Sequence, residues 1–358
     1  MKMEQENMKN FVKEPLMLYL SIALVLALIA GAFIYFRGDT FGDDYIVKVD
    51  ETEVSANLYR HALLIAKEKV LLEYPNSDQD ALWSFQETDD SPVFAREIEE
   101  FELNKLIKTA VINNLFEEYG LELTAAQDEL RAQNVAARIE GFGGREAADE
   151  LFKKYYLTYE DFVGFYEDYD RFELLFLHYF GVDGLYPVSF EEIDEYYEDN
   201  HARIKSILIP LVGSQGEALS AEATQEAMDL AVVVQEEASR PDSNFDELIK
   251  RYNKDVNLPE DGYVISRDYN TVPEFASAAF TMKEGEVKTI LTDHGYYIMK
   301  KYSALDPSVY TNIERQQALL TMRGQAFNDQ ISDAKNKAAI VRNEDLIEQI
   351  KIEDITTR

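Results

Sequence analysis

The stretch VPEFASAAFTMKEGEVKTILTDHGYYIMKKY, residues 272–302, carries the clearest secondary-structure pattern in this part of the chain. Pro273 stands at the start of an apolar run, and proline is favoured at the first position of a helix. Two runs typical of strands follow, residues 287–291 and 296–302, and the letters DHG between them predict a tight turn. The stretch therefore predicts a short helix followed by a β-hairpin.

The residues before this stretch extend the same pattern. Residues 202–210, ARIKSILIP, are typical of a strand, and Ser220 precedes a helical segment as a cap. Asn244 caps a second helical segment, FDELIKRY, and a further strand is predicted at 263–265. The order β-α-α-β-α-β-β over residues 201–305 predicts a compact α+β domain with helices around a small sheet.

The residues between 45 and 200 predict a mainly helical domain. The alternating run YIVKV, residues 45–49, predicts a strand, and Ser55 caps a helix that continues to about residue 73. Aromatic residues recur every three to four positions over 155–180, which is typical of a packed core with a surplus suited to an apolar groove. Helices are also predicted for residues 93–119, 124–139, 144–155 and 158–180.

The C-terminal segment, residues 306–358, predicts a long amphipathic helix to about residue 337, a strand at 338–342 and a short last helix. The strand at 338–342 and the strand at 45–49 stand at opposite ends of the folded chain and could pair. We therefore expect residues 306–358 to pack on the helical domain and complete it, with the α+β domain inserted. The predicted fold class is α+β multidomain.

The N-terminal region predicts a membrane anchor. Residues 16–36 form an uncharged apolar run of 21 residues, long enough to span a bilayer, and lysines precede it. Residues 1–15 are then cytoplasmic, and the bulk of the chain lies outside a cell membrane that it crosses once. The alternative is a cleaved signal peptide with small residues at 30–32 as the cleavage site.

Composition excludes several function classes. The formal net charge of −33 argues against nucleic acid as a partner, because such binding needs clustered basic residues. The chain has no cysteine and only four scattered histidines, so disulfides, thiolate nucleophiles and metal sites are not predicted. No phosphate-binding or nucleophile-elbow motif occurs, and no cofactor is expected.

Five stretches resemble the parvulin (rotamase) family: HARIKSILIP, FDELIKRYNKD, EDGYVI, VPEFASAAFTMKEGEV and LTDHGYYIMKKY. The layout around them resembles extracytoplasmic foldases of the PrsA and SurA type, which have a helical chaperone region beside the parvulin domain. The resemblance implies peptidyl-prolyl cis–trans isomerisation without a cofactor, together with holding of unfolded chains. The implied partners are unfolded or partly folded exported proteins and their X–Pro segments.

The resemblance also implies the positions of the catalytic groups. The two histidines of the family fall at Ser206 and Tyr297, so both are replaced, and the family's Cys-or-Asp position falls at Asp255. These hydroxyl and carboxylate groups can donate and accept hydrogen bonds, and they are the catalytic candidates.

The substrate-binding cup that the resemblance implies is partly retained. Phe275 occupies the family's phenylalanine position, whereas Thr271 stands where the family has methionine. Ile265 and Tyr263 would line the same cup. His294 precedes the histidine position by three residues and is interpreted as a turn or rim residue, not as a displaced catalyst.

Three functions remain open from the sequence. The chain is a membrane-anchored isomerase with a rebuilt polar network, a non-catalytic holdase that keeps the parvulin shape, or a scaffold protein of the envelope. The aromatic surplus is also compatible with a homodimer. Isomerase activity separates the first function from the second, and binding of one fixed partner would favour the third.

Overall fold

The computed structural model describes residues 45–88, 91–213, 217–267 and 272–357. The structure is mixed α+β with helices predominating. It divides into two compact units: a helical unit, residues 45–187 with 323–357, and an α+β unit, residues 188–322. The predicted membrane span, 16–36, lies outside the described residues. Of the helices that the structure does describe, none has the length and apolar character needed to cross a bilayer.

Side-chain caps fix the starts of helices in the helical unit. The hydroxyl of Ser55 accepts a hydrogen bond from the N–H of Leu58 at 3.3 Å, and Thr158 and Asp161 form a capping box. The elements up to residue 180 are β1 (Tyr45–Val49), β2 (Thr52–Ser55), α1 (Ala56–Glu73), α2 (Gln79–Trp83), α3 (Phe94–Glu118), α4 (Ala125–Gly141), α5 (Arg145–Lys154) and α6 (Tyr159–Phe180).

The α+β unit has the predicted order of elements. The helix at its start has a second capping box, formed by Ser189 and Glu192. Its strands form an antiparallel sheet in the order β4-β3-β6-β5. The elements are α7 (Phe190–Asn200), β3 (His201–Pro210), α8 (Ala221–Ala238), α9 (Phe245–Tyr252), β4 (Tyr263–Ser266), α10 (Pro273–Thr281), β5 (Val287–Thr292) and β6 (Gly295–Tyr302).

Strand pairing joins the two ends of the described chain. The last elements are α11 (Asn312–Lys337), β7 (Ile340–Arg342) and α12 (Glu344–Gln349). Strand β1 lies between β2 and β7 and is antiparallel to both, so the predicted pairing of the terminal strands is present. Asp50 secures it, since its N–H donates to the Ala339 carbonyl at 2.8 Å and its carboxylate accepts from the Ala339 N–H at 2.9 Å.

The aromatic residues of α6 supply much of the core of the helical unit. Phe172, Phe176 and Tyr179 surround Phe327, with ring centroids 5.3 to 5.8 Å apart. Phe176 is 1% exposed. Burying an aromatic side chain of this size stabilises a fold by about 1.5–3 kcal/mol, so the periodic aromatic run of the sequence acts here as core.

The two faces of the sheet in the α+β unit bury different residues. On one face, Ile207, Ile209 and Ile298 pack against α8 and α9. On the other face, Ile204 and Met299 pack against α10. Residues alternate between the faces along a strand, so the even-numbered residues of β3 and the odd-numbered residues of β6 point toward α10. This second face carries the candidate site.

His61 in α1 makes the stability of the helical unit depend on pH. Its Nδ1 lies 2.9 Å from the carbonyl oxygen of Tyr155, and its ring stacks on Phe165 at 5.7 Å. Burial lowers the pKa of His61 from 6.5 to about 4. The unfolded chain therefore binds a proton between these values, and stability is lost as the pH falls from 6.5 to 4, by on the order of 3 kcal/mol.

We expect His61→Gln to remove this part of the acid destabilisation, because glutamine can donate to the Tyr155 carbonyl without taking up a proton. Urea unfolding of the wild type and of the variant between pH 4 and pH 7 measures the difference. Equal losses of stability in both proteins over this range would show that His61 does not titrate as described.

Candidate functional site

The sheet face toward α10 brings together two strands that carry candidate residues. Ser206 of β3 lies opposite Met299 of β6, and Leu208 lies opposite Tyr297. Residues opposite each other in an antiparallel pair share a face, so Ser206 and Tyr297 lie on the same side as the buried Met299. Tyr297 packs on the cluster that contains Met299.

An aromatic cluster forms the apolar part of the site. Phe275 of α10 is 5% exposed, and its ring meets Tyr297 edge-on at 5.4 Å and Tyr263 edge-on at 6.3 Å. Edge-to-face pairs of this kind are favoured by the ring quadrupoles. Ile265 is buried in the same cluster. The structure therefore brings together three residues expected to line the cup, Phe275, Ile265 and Tyr263, with the catalytic candidate Tyr297. Thr271 lies outside the described residues.

The carboxylate of Asp255 lies beside this cluster. The Tyr263 hydroxyl donates to its Oδ2 at 2.9 Å, and the N–H of Asn257 donates to its Oδ1 at 2.9 Å. Tyr263 thus contacts Phe275 through its ring and Asp255 through its hydroxyl. Tyr263 was expected only in the apolar lining, and its role as the hydrogen-bond donor to Asp255 was not predicted.

Ser206 occupies the interior of the site. It is 0% exposed, and its hydroxyl has no hydrogen-bond partner among the described residues. The predicted catalytic role of Ser206 would need this buried hydroxyl to become accessible to a bound chain. Its position differs from that of Asp255, which is half-buried.

His294 lies in the turn between β5 and β6, as predicted, and is exposed. Its N–H donates to the Thr292 hydroxyl at 3.2 Å, and its carbonyl accepts from the Leu211 N–H at 3.1 Å. Gly295 follows with φ of 145°, and a Cβ atom there would clash with the carbonyl oxygen of Ile209. The backbone of His294 therefore shapes the turn, and its hydrogen bonds serve the hairpin.

The described residues contain no cluster of three or more histidine, aspartate or glutamate side chains with the spacing of a metal site. The chemistry available to the site comes from Asp255, Tyr263 and Tyr297 beside an apolar cluster. Such a site can bind an apolar ring and place hydrogen-bonding groups next to it.

Comparison with known proteins gives the family of this domain. Residues 192–303 match the family model described as the PPIC-type PPIASE domain. A search of curated proteins found no match.

Among solved structures, the chain is similar to foldase protein PrsA from Streptococcus pneumoniae, with 17% identity, 71% of this chain and 92% of that chain covered, and a TM-score of 0.34. It is also similar to PrsA from Bacillus subtilis, with 19% identity, 75% of this chain and 98% of that chain covered, and a TM-score of 0.27. The peptidylprolyl isomerase PrsA from Bacillus cereus matches at 15% identity, with 71% and 91% coverage and a TM-score of 0.29.

The matched range starts within α7 and ends after β6, so it includes every element that positions Asp255, Tyr263, Phe275 and Tyr297. The resemblance that the sequence showed for 201–303 is thereby confirmed. Residues 192–303 of this chain belong to the PPIC-type, or parvulin, family of peptidyl-prolyl isomerase domains.

Proposed function

We propose that this chain is a peptidyl-prolyl cis–trans isomerase that acts on X–Pro segments of unfolded proteins. The observation that carries the proposal is the hydrogen bond from Tyr263 to Asp255 at the edge of the Phe275 cluster, within a parvulin-type domain. It provides a hydroxyl–carboxylate pair in a domain where, by the resemblance, Ser206 and Tyr297 stand at the positions of the family's two histidines.

The reaction requires little more than such a site. Rotation about an X–Pro bond must break amide resonance, and the barrier of about 18–20 kcal/mol makes the uncatalysed exchange slow. A catalyst lowers the barrier by binding the twisted amide better than the planar one. In this proposal the proline ring packs on Phe275, and Asp255 with the Tyr263 hydroxyl forms a preorganised polar pair beside the rotating bond. Tyr297 contributes a second hydroxyl.

Phe275 is expected to determine substrate affinity. Phe275→Leu keeps an apolar residue in the core but removes the aromatic surface against which the proline ring packs, so KM for an X–Pro peptide should rise about tenfold with a smaller change in kcat. Phe280→Leu is the matched control: Phe280 lies on the same helix and packs against the same cluster, but the Arg267 guanidinium lies over its ring, 4.8 Å from the ring centroid. A KM that changes equally in both variants would contradict this role.

The test of activity is a protease-coupled assay on peptides that differ in the residue before proline, with the full-length chain in detergent micelles. The proposal predicts a kcat/KM above background for at least one peptide. Absence of any rate above background, for a chain shown to be folded by circular dichroism, would end the proposal.

The location of this activity is also a proposal. Residues 16–36 carry no charge over 21 positions, and lysines precede them. We place this segment across the cell membrane, with residues 1–15 in the cytoplasm and the isomerase outside, where it would act on exported proteins. Protease added to intact cells should then digest the α+β unit. A mature protein that begins after residue 32 would instead indicate a cleaved signal peptide.

A second candidate function is holding unfolded chains without catalysis. The observation that favours it is a group of exposed apolar residues in the helical unit: Val182, Leu185 and Tyr186 are each about half exposed, at 48 to 54%. Exposed apolar groups of this kind can bind unfolded segments. If this candidate is correct, Leu185→Ser with Tyr186→Ser will weaken suppression of client aggregation while Asp255→Ala leaves it unchanged.

A further inference from the structure

The loop between α9 and β4 begins at Asn253, which ends α9. The N–H of Asn253 donates to the carbonyl of Ile249 at 2.9 Å, and its backbone then becomes extended, with φ of −64° and ψ of 135°. The chain leaves the helix at this residue, and Asp255 follows two positions later. Asn253 thus stands between a regular helix and the carboxylate of the site.

The side chain of Asn253 is bound on both of its polar atoms. Its Oδ1 accepts from the N–H of Leu208 at 2.9 Å and from the N–H of Asp255 at 3.0 Å. Its Nδ2 donates to the carbonyl of Asp255 at 2.9 Å. The pattern requires an acceptor atom and a separate donor atom at fixed positions, and of the side chains of this size only asparagine provides the two on different atoms.

These bonds attach the loop to β3, one of the two inner strands of the sheet. In the described residues β3 pairs with β4 only up to Ile204, so Leu208 has no partner in β4. The N–H of Leu208 instead donates to the side-chain oxygen of Asn253, and the carbonyl of Leu208 accepts a hydrogen bond from the N–H of Lys254 at 3.1 Å. In an antiparallel strand, the N–H and C=O of one residue point to the same side. Both groups of Leu208 point to the loop and not to β6, so Leu208 and Tyr297 form a non-hydrogen-bonded pair. Such pairs have Cα atoms about 4.5 Å apart, closer than in a hydrogen-bonded pair.

We infer that Asn253 is a positioning residue for Asp255. Its side-chain amide fixes the loop on β3, so that the Asp255 carboxylate meets the Tyr263 hydroxyl and keeps a fixed distance from Tyr297 through the Leu208 pair. Asn253 itself does not contact the substrate in this account. The inference rests on the proposed isomerase function, and it identifies a residue that acts through Asp255.

Asn253→Ala in the full-length chain tests the inference. We expect kcat to fall about tenfold to a hundredfold, because a small displacement of a catalytic group is costly, while KM changes little. Asn244→Ala is the matched control. Asn244 caps the other end of α9 and accepts from the N–H groups of Asp246 and Glu247, so its loss also weakens the helix but does not touch the loop. Its kcat should stay within about twofold of the wild type.

A double-mutant cycle separates positioning from general loss of structure. If Asn253 acts through Asp255, Asn253→Ala will have no further effect on kcat in a chain that already carries Asp255→Ala. If the two losses multiply, Asn253 acts independently of Asp255 and the inference is overturned.

Hydrogen exchange gives a readout that does not depend on turnover. Asn253→Ala should accelerate exchange at the amides of Leu208 and Asp255, whereas Asn244→Ala should not. If the wild type proves inactive, the proposed function fails, and this measurement still decides whether Asn253 holds the loop. Unchanged exchange at both amides would overturn the inference whatever the activity.

Discussion

Replacing Asp255 by alanine is expected to lower kcat/KM for an X–Pro peptide about a hundredfold, the size of effect seen when one preorganised polar group is removed from an active site. Asp255 accepts the Tyr263 hydroxyl at 2.9 Å and lies beside the aromatic cluster. Its removal leaves Tyr263 without the acceptor that orients its hydroxyl, so the polar half of the site is lost while the apolar half remains.

The partner of Asp255 provides the second half of this prediction. Tyr263→Phe removes the hydroxyl but keeps the ring against Phe275, so it should lower kcat and leave KM nearly unchanged. Because the two groups act as a pair, the double variant should lose no more than Asp255→Ala alone. Glu260→Ala, an exposed change in the same loop, serves as the control. Activity that survives Asp255→Ala would show that the carboxylate has no part in catalysis.

A buried polar pair in the helical unit gives the second large effect. Asp168 of α6 is 1% exposed, and its Oδ1 accepts from the side-chain Nδ2 of Asn113 in α3 at 2.7 Å. Its other oxygen, Oδ2, and the Oδ1 of Asn113 are both buried and lack a partner among the described residues. A proton on Asp168 would supply the missing donor, because a carboxylic acid and an amide can form two hydrogen bonds to each other.

The electrostatics of the site favour the protonated acid. Burial raises the pKa of Asp168 well above its ordinary 3.8, against the opposing effects of the Asn113 hydrogen bond and the Arg171 charge. Arg171 itself pairs with Glu117 at 3.1 Å. Because the folded pKa is raised, the stabilisation by Asp168 is fully present below its ordinary pKa and is lost as the pH rises through the folded pKa. Burial also raises the pKa of Glu102, so Glu102 contributes a further loss of stability as the pH rises.

Two substitutions at this position should therefore behave differently. Asp168→Ala leaves the buried Asn113 amide unsatisfied and opens a cavity, and we expect a loss of about 2–4 kcal/mol in the free energy of unfolding. Asp168→Asn can form the same two hydrogen bonds with an uncharged amide, so it should keep most of the stability and remove the Asp168 part of the pH dependence. Urea unfolding between pH 5 and pH 9 measures both. An Asp168→Asn chain as unstable as Asp168→Ala would refute the acid–amide pair.

The sequence predicts the elements of the fold where the signals are local. Ser55, Ser220 and Asn244 mark helix starts because a capping side chain acts within three residues. The α+β domain followed from alternation and turn residues between 201 and 302. Two short elements were missed. Strand β2 has four residues and is held by its pairing with β1, and α2 lies in a polar stretch but is anchored by the buried Trp83.

The candidate site was predictable only in part. That Phe275, Ile265 and Tyr297 lie in one cluster was predictable, because the family pattern fixes their place in helix and strand. The partner of Asp255 was not predictable, since residues 256–262, which separate it from Tyr263, form an irregular loop whose path depends on tertiary contacts. Asn253 gave a weak signal, because an asparagine after a helix often bonds to the backbone two residues on. The Asn113–Asp168 pair joins two helices that are far apart in the sequence, and the residue spacing within either helix does not predict that the two side chains meet.

Isomerase activity would be seen as exchange between the cis and trans forms of an X–Pro peptide, followed by two-dimensional NMR with a small amount of the full-length chain in micelles. Uncatalysed exchange takes tens to hundreds of seconds and gives no cross-peaks on the timescale of the experiment. If the domain is an isomerase, we expect exchange cross-peaks with the wild type and much weaker ones with Asp255→Ala. Peptide signals that shift on binding without any exchange cross-peaks, for a folded chain, would contradict it and show that the domain binds prolyl segments without isomerising them.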